Sequence, residues 1–181
     1  MLHPRLIRGA AVLASCTAAI AVTSPAAADT YKVSGKQIAV DAEAGTFKMK
    51  GGLLGDWAIT SFEEIATSPY YHAKGTELFT GCLDRRRDRS CKGDPSGTLS
   101  FTMDYWALFG SADPASLVWG ACFHPIVSGT GAFAGARGVI QMVDTPARAG
   151  VTTGYIGNLT LKGQGARRTA RAARSTCGPV R

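Results

Sequence analysis

Long apolar runs are scarce in this chain. Beyond Val22 no stretch approaches the ~20 consecutive apolar residues that a membrane-spanning helix needs. No window of helical length holds an apolar stripe at 3.6-residue spacing before the C-terminal tail, which argues against a helical core. GxSxG, HExxH, a phosphate-cradling loop ending in Lys and a dinucleotide fingerprint opening a helix are all absent. Hydrolase and cofactor chemistry therefore have no positive support. Gly129-Thr130-Gly131-Ala132-Phe133-Ala134-Gly135 is glycine-rich, yet it precedes a strand-like run rather than a helix. CxxC and paired-His spacings are missing too, which argues against zinc, and neither metal nor cofactor is expected.

Acidic residues are missing from the end of the chain. Residues 29–166 hold 13 Lys/Arg against 13 Asp/Glu, whereas Arg167, Arg168, Arg171, Arg174 and Arg181 follow with no acid among them. The positive charge past residue 28 thus belongs to a tail. A neutral body argues against nucleic acid as a partner. In the tail, Arg167, Arg171 and Arg174 would line one side of a short helix, and an anionic cell-envelope surface is the partner such a stripe would fit.

The N-terminus has the form of an export signal. Arg5 and Arg8 precede an Ala-rich apolar run from Gly9 to Val22, and Ala26-Ala27-Ala28 offers small residues for cleavage before Asp29. The expected organisation is a signal peptide over 1–28, one domain over 29–165 and a basic tail over 166–181, about 150 residues after cleavage, which suits one domain. There is no twin arginine, so the general secretory route is expected. Leu13-Ala14-Ser15-Cys16 also reads as a lipobox, which makes a lipid anchor on Cys16 the alternative to free secretion.

Four cysteines follow the leader: Cys82, Cys91, Cys122 and Cys177. An even number in an exported protein reads as two disulfides. Cys82–Cys91 is the local choice, closing a charged hairpin tip and stabilising by roughly 2–3 kcal/mol through chain entropy. Cys122–Cys177 follows by elimination and would tie the tail to the domain.

Period-2 patterning recurs along the chain, with strands expected over 31–40, 46–50, 54–63, 74–82, 98–109, 116–126, 139–144 and 151–162. Turn residues fall between them, at Gly51-Gly52, Ser68-Pro69, Asp113-Pro114 and Thr145-Pro146 among others. Eight strands without crossover helices indicate an all-β antiparallel meander closing into a barrel, with a two-sheet sandwich as the alternative. A barrel of that size is either filled by its side chains or holds one small ligand.

GLLGDW, GTELFTGCLD, SGTLSF, HPIVSGTGAFAGARG and YIGNLTLK occur in that order between Gly51 and Lys162. Together they resemble the allene-oxide-cyclase-like group of calycin-type β-barrels, and the chain looks like a secreted bacterial member. Gly55-Asp56-Trp57 is also similar to the GxW start of lipocalins. The resemblance implies a barrel whose plant relatives cyclise an allene oxide made from a fatty-acid hydroperoxide. It assigns no catalytic residue here.

The residues themselves nominate a lumen. Glu77 shares a strand face with Phe79, and if that face points inward the carboxyl sits in an apolar interior where it can act as general acid or base. Trp57, Trp119 and Tyr155 lie within strand runs and are expected to join Glu77 and Phe79 around a bound molecule. Cys122 and His124 share a face, which a bond from Cys122 to the tail would turn outward, leaving Trp119, Ala121 and Phe123 inward. His72 is expected at the surface or the barrel mouth. Two functions follow: binding of a small apolar ligand or service as an interaction module, or a cofactor-free isomerase or cyclase working by confinement.

Overall fold

The computed structural model describes residues 28–67, 69–113, 116–148 and 150–162. The expected leader, Cys16, Cys177 and the arginine tail lie outside the described residues. Eight strands run in sequence: β1 (Asp29–Asp41), β2 (Thr46–Gly51), β3 (Leu53–Ala66), β4 (Tyr70–Leu83), β5 (Ser96–Phe109), β6 (Leu117–Gly129), β7 (Arg137–Ala147) and β8 (Gly150–Leu161). Each pairs antiparallel with the next, and β8 returns to β1 from Asp29↔Leu161 to Gln37↔Thr153, so the sheet is a closed barrel, not a sandwich.

Every expected strand run forms a strand, but two prolines do not end theirs. Pro125 continues β6, pairing with Val139, and Pro146 stays in β7 opposite Val151. Proline has no N–H to give a ladder. Accordingly the β5–β6 ladder skips from Phe101↔Ile126 to Asp104↔Phe123, leaving it open beside Pro125.

Alternation decides which side chains fill the interior. Along β4, Glu77, Phe79 and Leu83 are buried while Lys74, Thr76 and Thr80 are exposed. Outside, Lys32, Lys36, Lys48, Lys50, Asp56 and Lys74 are exposed. Large apolar side chains share the outer wall with these charges, among them Trp106, Trp119, Phe123 and Ile156. Among the described residues, no helix is long and apolar enough to cross a membrane.

One half of the barrel is solid. Trp57, Phe79, Phe101, Leu53, Leu99, Leu159 and Leu161 are buried there together with Phe133. Burying such side chains stabilises by roughly 1.5–3 kcal/mol each. Phe133 arrives from a 3₁₀ turn, Gly131–Phe133, between β6 and β7. Gly131 enters that turn at φ 61°, and at Gly138 a Cβ would stand 1.9 Å from the Asn158 carbonyl oxygen. The glycine-rich segment is therefore a corner that inserts a plug. Tyr155 is also buried in this half: its hydroxyl donates to the Leu53 carbonyl at 3.1 Å and accepts the Leu53 N–H at 2.8 Å.

Candidate functional site

The other half of the barrel is open. A cavity of about 200 Å³ is lined by Glu77, Met103, Cys122, His124 and Met142 together with residues of β1, β2, β3 and β8. A wider vestibule of about 560 Å³ shares Gln37, Phe47, Tyr105, Asp144 and Thr153 with it and reaches Phe109 and Leu117. Both lie toward the end ringed by the β1–β2, β3–β4, β5–β6 and β7–β8 connections.

Glu77 and His124 lie together in this cavity. Glu77 is 4 % exposed and His124 1 %, and Oε2 of the carboxyl lies 2.9 Å from Nε2 of the ring. On the opposite edge of the ring, Nδ1 stands 3.1 Å from the Ile140 carbonyl oxygen. A carbonyl only accepts, so Nδ1 carries a hydrogen and Nε2 is the ring nitrogen turned toward the Glu77 carboxyl. The close approach lacks the alignment of a hydrogen bond, and Glu77 Oε2 has no hydrogen-bond partner. The indole N–H of Trp57, whose ring meets His124 edge-on at 5.3 Å, has none either. Buried polar atoms without partners are rare and mark places where water or a ligand group is received.

Cys122 is a free, buried thiol beside this pair. Burial pushes the thiol far above its ordinary value, the charge of Glu77 pushes it the same way, and the Asp104 N–H acts against both. It is therefore a neutral, polarisable wall group rather than a thiolate nucleophile. At the vestibule, burial and then Asp144 raise the Tyr105 hydroxyl, which hydrogen-bonds that carboxylate. Thr153 donates to Asp144 as well, so the entrance is polar while Met103 and Met142 face the interior.

The five residues expected around a ligand separate. Glu77 lines the open cavity; Trp57, Phe79 and Tyr155 are buried in the filled half; Trp119 is 48 % exposed on the outer wall. The expected inward face of β6 is thus inverted, since Cys122 and His124 point in while Trp119 and Phe123 point out. The cause is the pairing by elimination. Cys82 and Cys91 are bonded, with Cα atoms 5.5 Å apart, and Cys122 is a free thiol facing the interior, while Cys177, its expected partner, lies outside the described residues. His72 lies on the outer side of β4, two residues from its start, where it is largely covered, 2.8 Å from Asp104 and stacked on Trp106. Sequence reasoning missed Cys122, His124, Met103, Tyr105 and Met142 as lining residues. Same-face spacing of Cys122 and His124 was the available signal for two of them.

Asp84, Asp88 and Asp94 on the β4–β5 loop place carboxylate oxygens within 4.8 Å of one another. Arg85 and Arg86 already pair with Asp94, and Arg86 with Asp88, so arginines supply the positive charge this trio calls for.

No protein-family model, curated protein or solved structure matches this chain. Fold and site define a class all the same: a disulfide-bearing, closed eight-stranded β-barrel, plugged at one end, with a carboxyl–imidazole pair in an open upper lumen.

Proposed function

We propose that this protein binds a small, largely apolar molecule in the open half of its barrel, with one polar group of the ligand turned to Glu77 and His124. The observation that carries this reading is the cavity itself, apolar along Met103 and Met142 and containing a buried carboxyl oxygen without a partner. Sites of this kind combine apolar walls with a few placed polar groups. A neutral naphthylamine probe tests it, because it reports on the lumen and not on surface charge. Saturable binding that alters Trp57 emission is expected. Met142→Trp, which fills the cavity, should weaken it strongly, and Glu77→Gln should change it. An unsaturable wild type, or Met142→Trp binding as well as wild type, would refute the reading.

A second reading, a cofactor-free isomerase or cyclase, is favoured by the carboxyl and imidazole groups of Glu77 and His124, 2.9 Å apart in the open cavity. A general acid–base pair facing a confined substrate needs no other group to move a proton. Kinship with the allene-oxide-cyclase-like barrels belongs to this reading, supported by the ordered motifs of the sequence. The test is a fatty-acid allene oxide supplied to the protein: uncatalysed cyclisation gives a racemate, so an enantiomeric excess lost in Glu77→Gln supports catalysis, and a racemate from wild type excludes it. Export through the N-terminal leader is part of the same proposal, and the Cys82–Cys91 bond suits an oxidising compartment.

A further inference from the structure

Lys36 and Lys50 stand directly opposite each other in the β1–β2 ladder. Both are exposed on the outer wall, and like charges in that position repel. Nearby Lys48 takes Asp56 as its partner, but neither Lys36 nor Lys50 has an acidic partner among the described residues. The β4–β5 loop brings more positive charge to the same place. Arg87 and Arg89 line, with Lys36 and Lys50, a surface groove of about 750 Å³.

The loop divides its arginines into two sets. Arg85 and Arg86 are spent on Asp94 and Asp88, whereas Arg87 and Arg89 pair with no acid among the described residues. Those two are also the non-glycine residues at positive φ, 55° and 60°. Side chains other than glycine pay for that conformation, and such residues collect at functional sites. Two devices hold them there. The Cys82–Cys91 bond closes the loop, and the carboxylate of Asp84 accepts the N–H groups of Asp88 and Arg89 at 3.2 and 2.9 Å. Asp84 is the groove's one acid, and its oxygens are taken up by backbone.

We propose that this groove is an oxyanion site for a ligand carrying two or more phosphate or sulfate charges. Four cations face one acid, two of them are fixed by an ordered loop, and guanidinium forks match the oxygens of such groups. A multiply charged anion would also relieve the Lys36–Lys50 repulsion. The site lies outside the lumen and does not depend on what the lumen binds.

Calorimetric titration with pyrophosphate is the direct test, with vesicles of neutral lipid with and without phosphatidylglycerol as a second arm. Lys36→Gln/Lys50→Gln and Arg87→Asn/Arg89→Asn, the latter using a residue that tolerates positive φ, should each weaken binding by about tenfold or more. Lys74→Gln/Lys162→Gln removes equal charge elsewhere and should leave affinity nearly unchanged. Pyrophosphate binding with this pattern assigns a soluble anion; the same pattern confined to phosphatidylglycerol vesicles assigns a lipid headgroup as the source. Equal loss in the control variant, or no binding in either arm, would overturn the proposal.

Discussion

Glu77 on β4 and His124 on β6 meet across the interior, carboxyl oxygen 2.9 Å from ring nitrogen, with the whole of β5 between their strands. A buried pair of this kind is weak evidence for stability, since desolvating both groups offsets their attraction. Removing one partner leaves the other buried and uncompensated. His124→Leu alone is therefore expected to destabilise by about 3–5 kcal/mol. Glu77→Met/His124→Leu together should recover most of that loss, because matched apolar groups replace the pair. Urea unfolding of the two singles and the double decides it. A double variant as unstable as the sum of its singles would mean that the two groups do not compensate each other, and the argument from a buried pair would fail.

The inward thiol gives a second prediction. Buried and held neutral, Cys122 should resist iodoacetamide in the folded protein and react once the chain is unfolded, while Cys82 and Cys91 remain joined without reductant. Peptide mapping under non-reducing conditions reads all three. A peptide linking Cys122 to Cys177 would contradict the arrangement and turn His124 back toward the outside.

That outcome also shows where the sequence is legible. The eight strands could be read because each inward face needs apolar side chains at period two, and turn residues break that period between strands. Glu77 could be placed for the same reason, since it shares its face with Phe79. Trp119 could not, because β6 carries large apolar residues on both faces and a one-residue change of register exchanges them. Cysteine arithmetic then supplied the wrong orientation for β6. Whether the barrel is filled or open was likewise hidden. It depends on how far Phe133 and the tryptophan–phenylalanine cluster reach along the axis, which no local pattern encodes.

Phe133 itself is testable. It has no exposed surface and meets Phe79 with ring centroids 6.3 Å apart. Phe133→Ala should cost about 3–5 kcal/mol in thermal or urea unfolding, the usual range for a truncated core phenylalanine. A loss below about 1 kcal/mol would show that the corner is not a plug but a loop resting on the barrel end.

Alkaline stability follows from the tyrosines. Burial pushes Tyr155 up to about 12, against a lowering contribution from its bond to Leu53, and burial followed by the Glu64 hydrogen bond pushes Tyr71 up to about 12. The folded state favours the neutral phenol, so the unfolded chain loses its protons first, near 10.0. This contribution is intact below that pH and disappears as pH rises toward about 12. Denaturant midpoints should fall steeply over that window, and less steeply in Tyr155→Phe. A midpoint that is flat across the window would exclude the linkage.

The repulsion between Lys36 and Lys50 predicts a gain of stability on mutation. Lys50→Glu converts a like-charge cross-strand pair into an opposite one, worth about 0.2–1 kcal/mol in favour of the fold. Because both side chains are solvated, the gain should shrink as salt is raised and the Debye length contracts. The same substitution should abolish pyrophosphate binding, since it removes one cation from the groove and adds an anion. A stabilised variant without anion affinity would show that the lysines are kept opposed at a cost to the fold. A destabilised Lys50→Glu at low salt would mean instead that these charges do not interact across the ladder, and the argument for the groove from their opposition would fall with it.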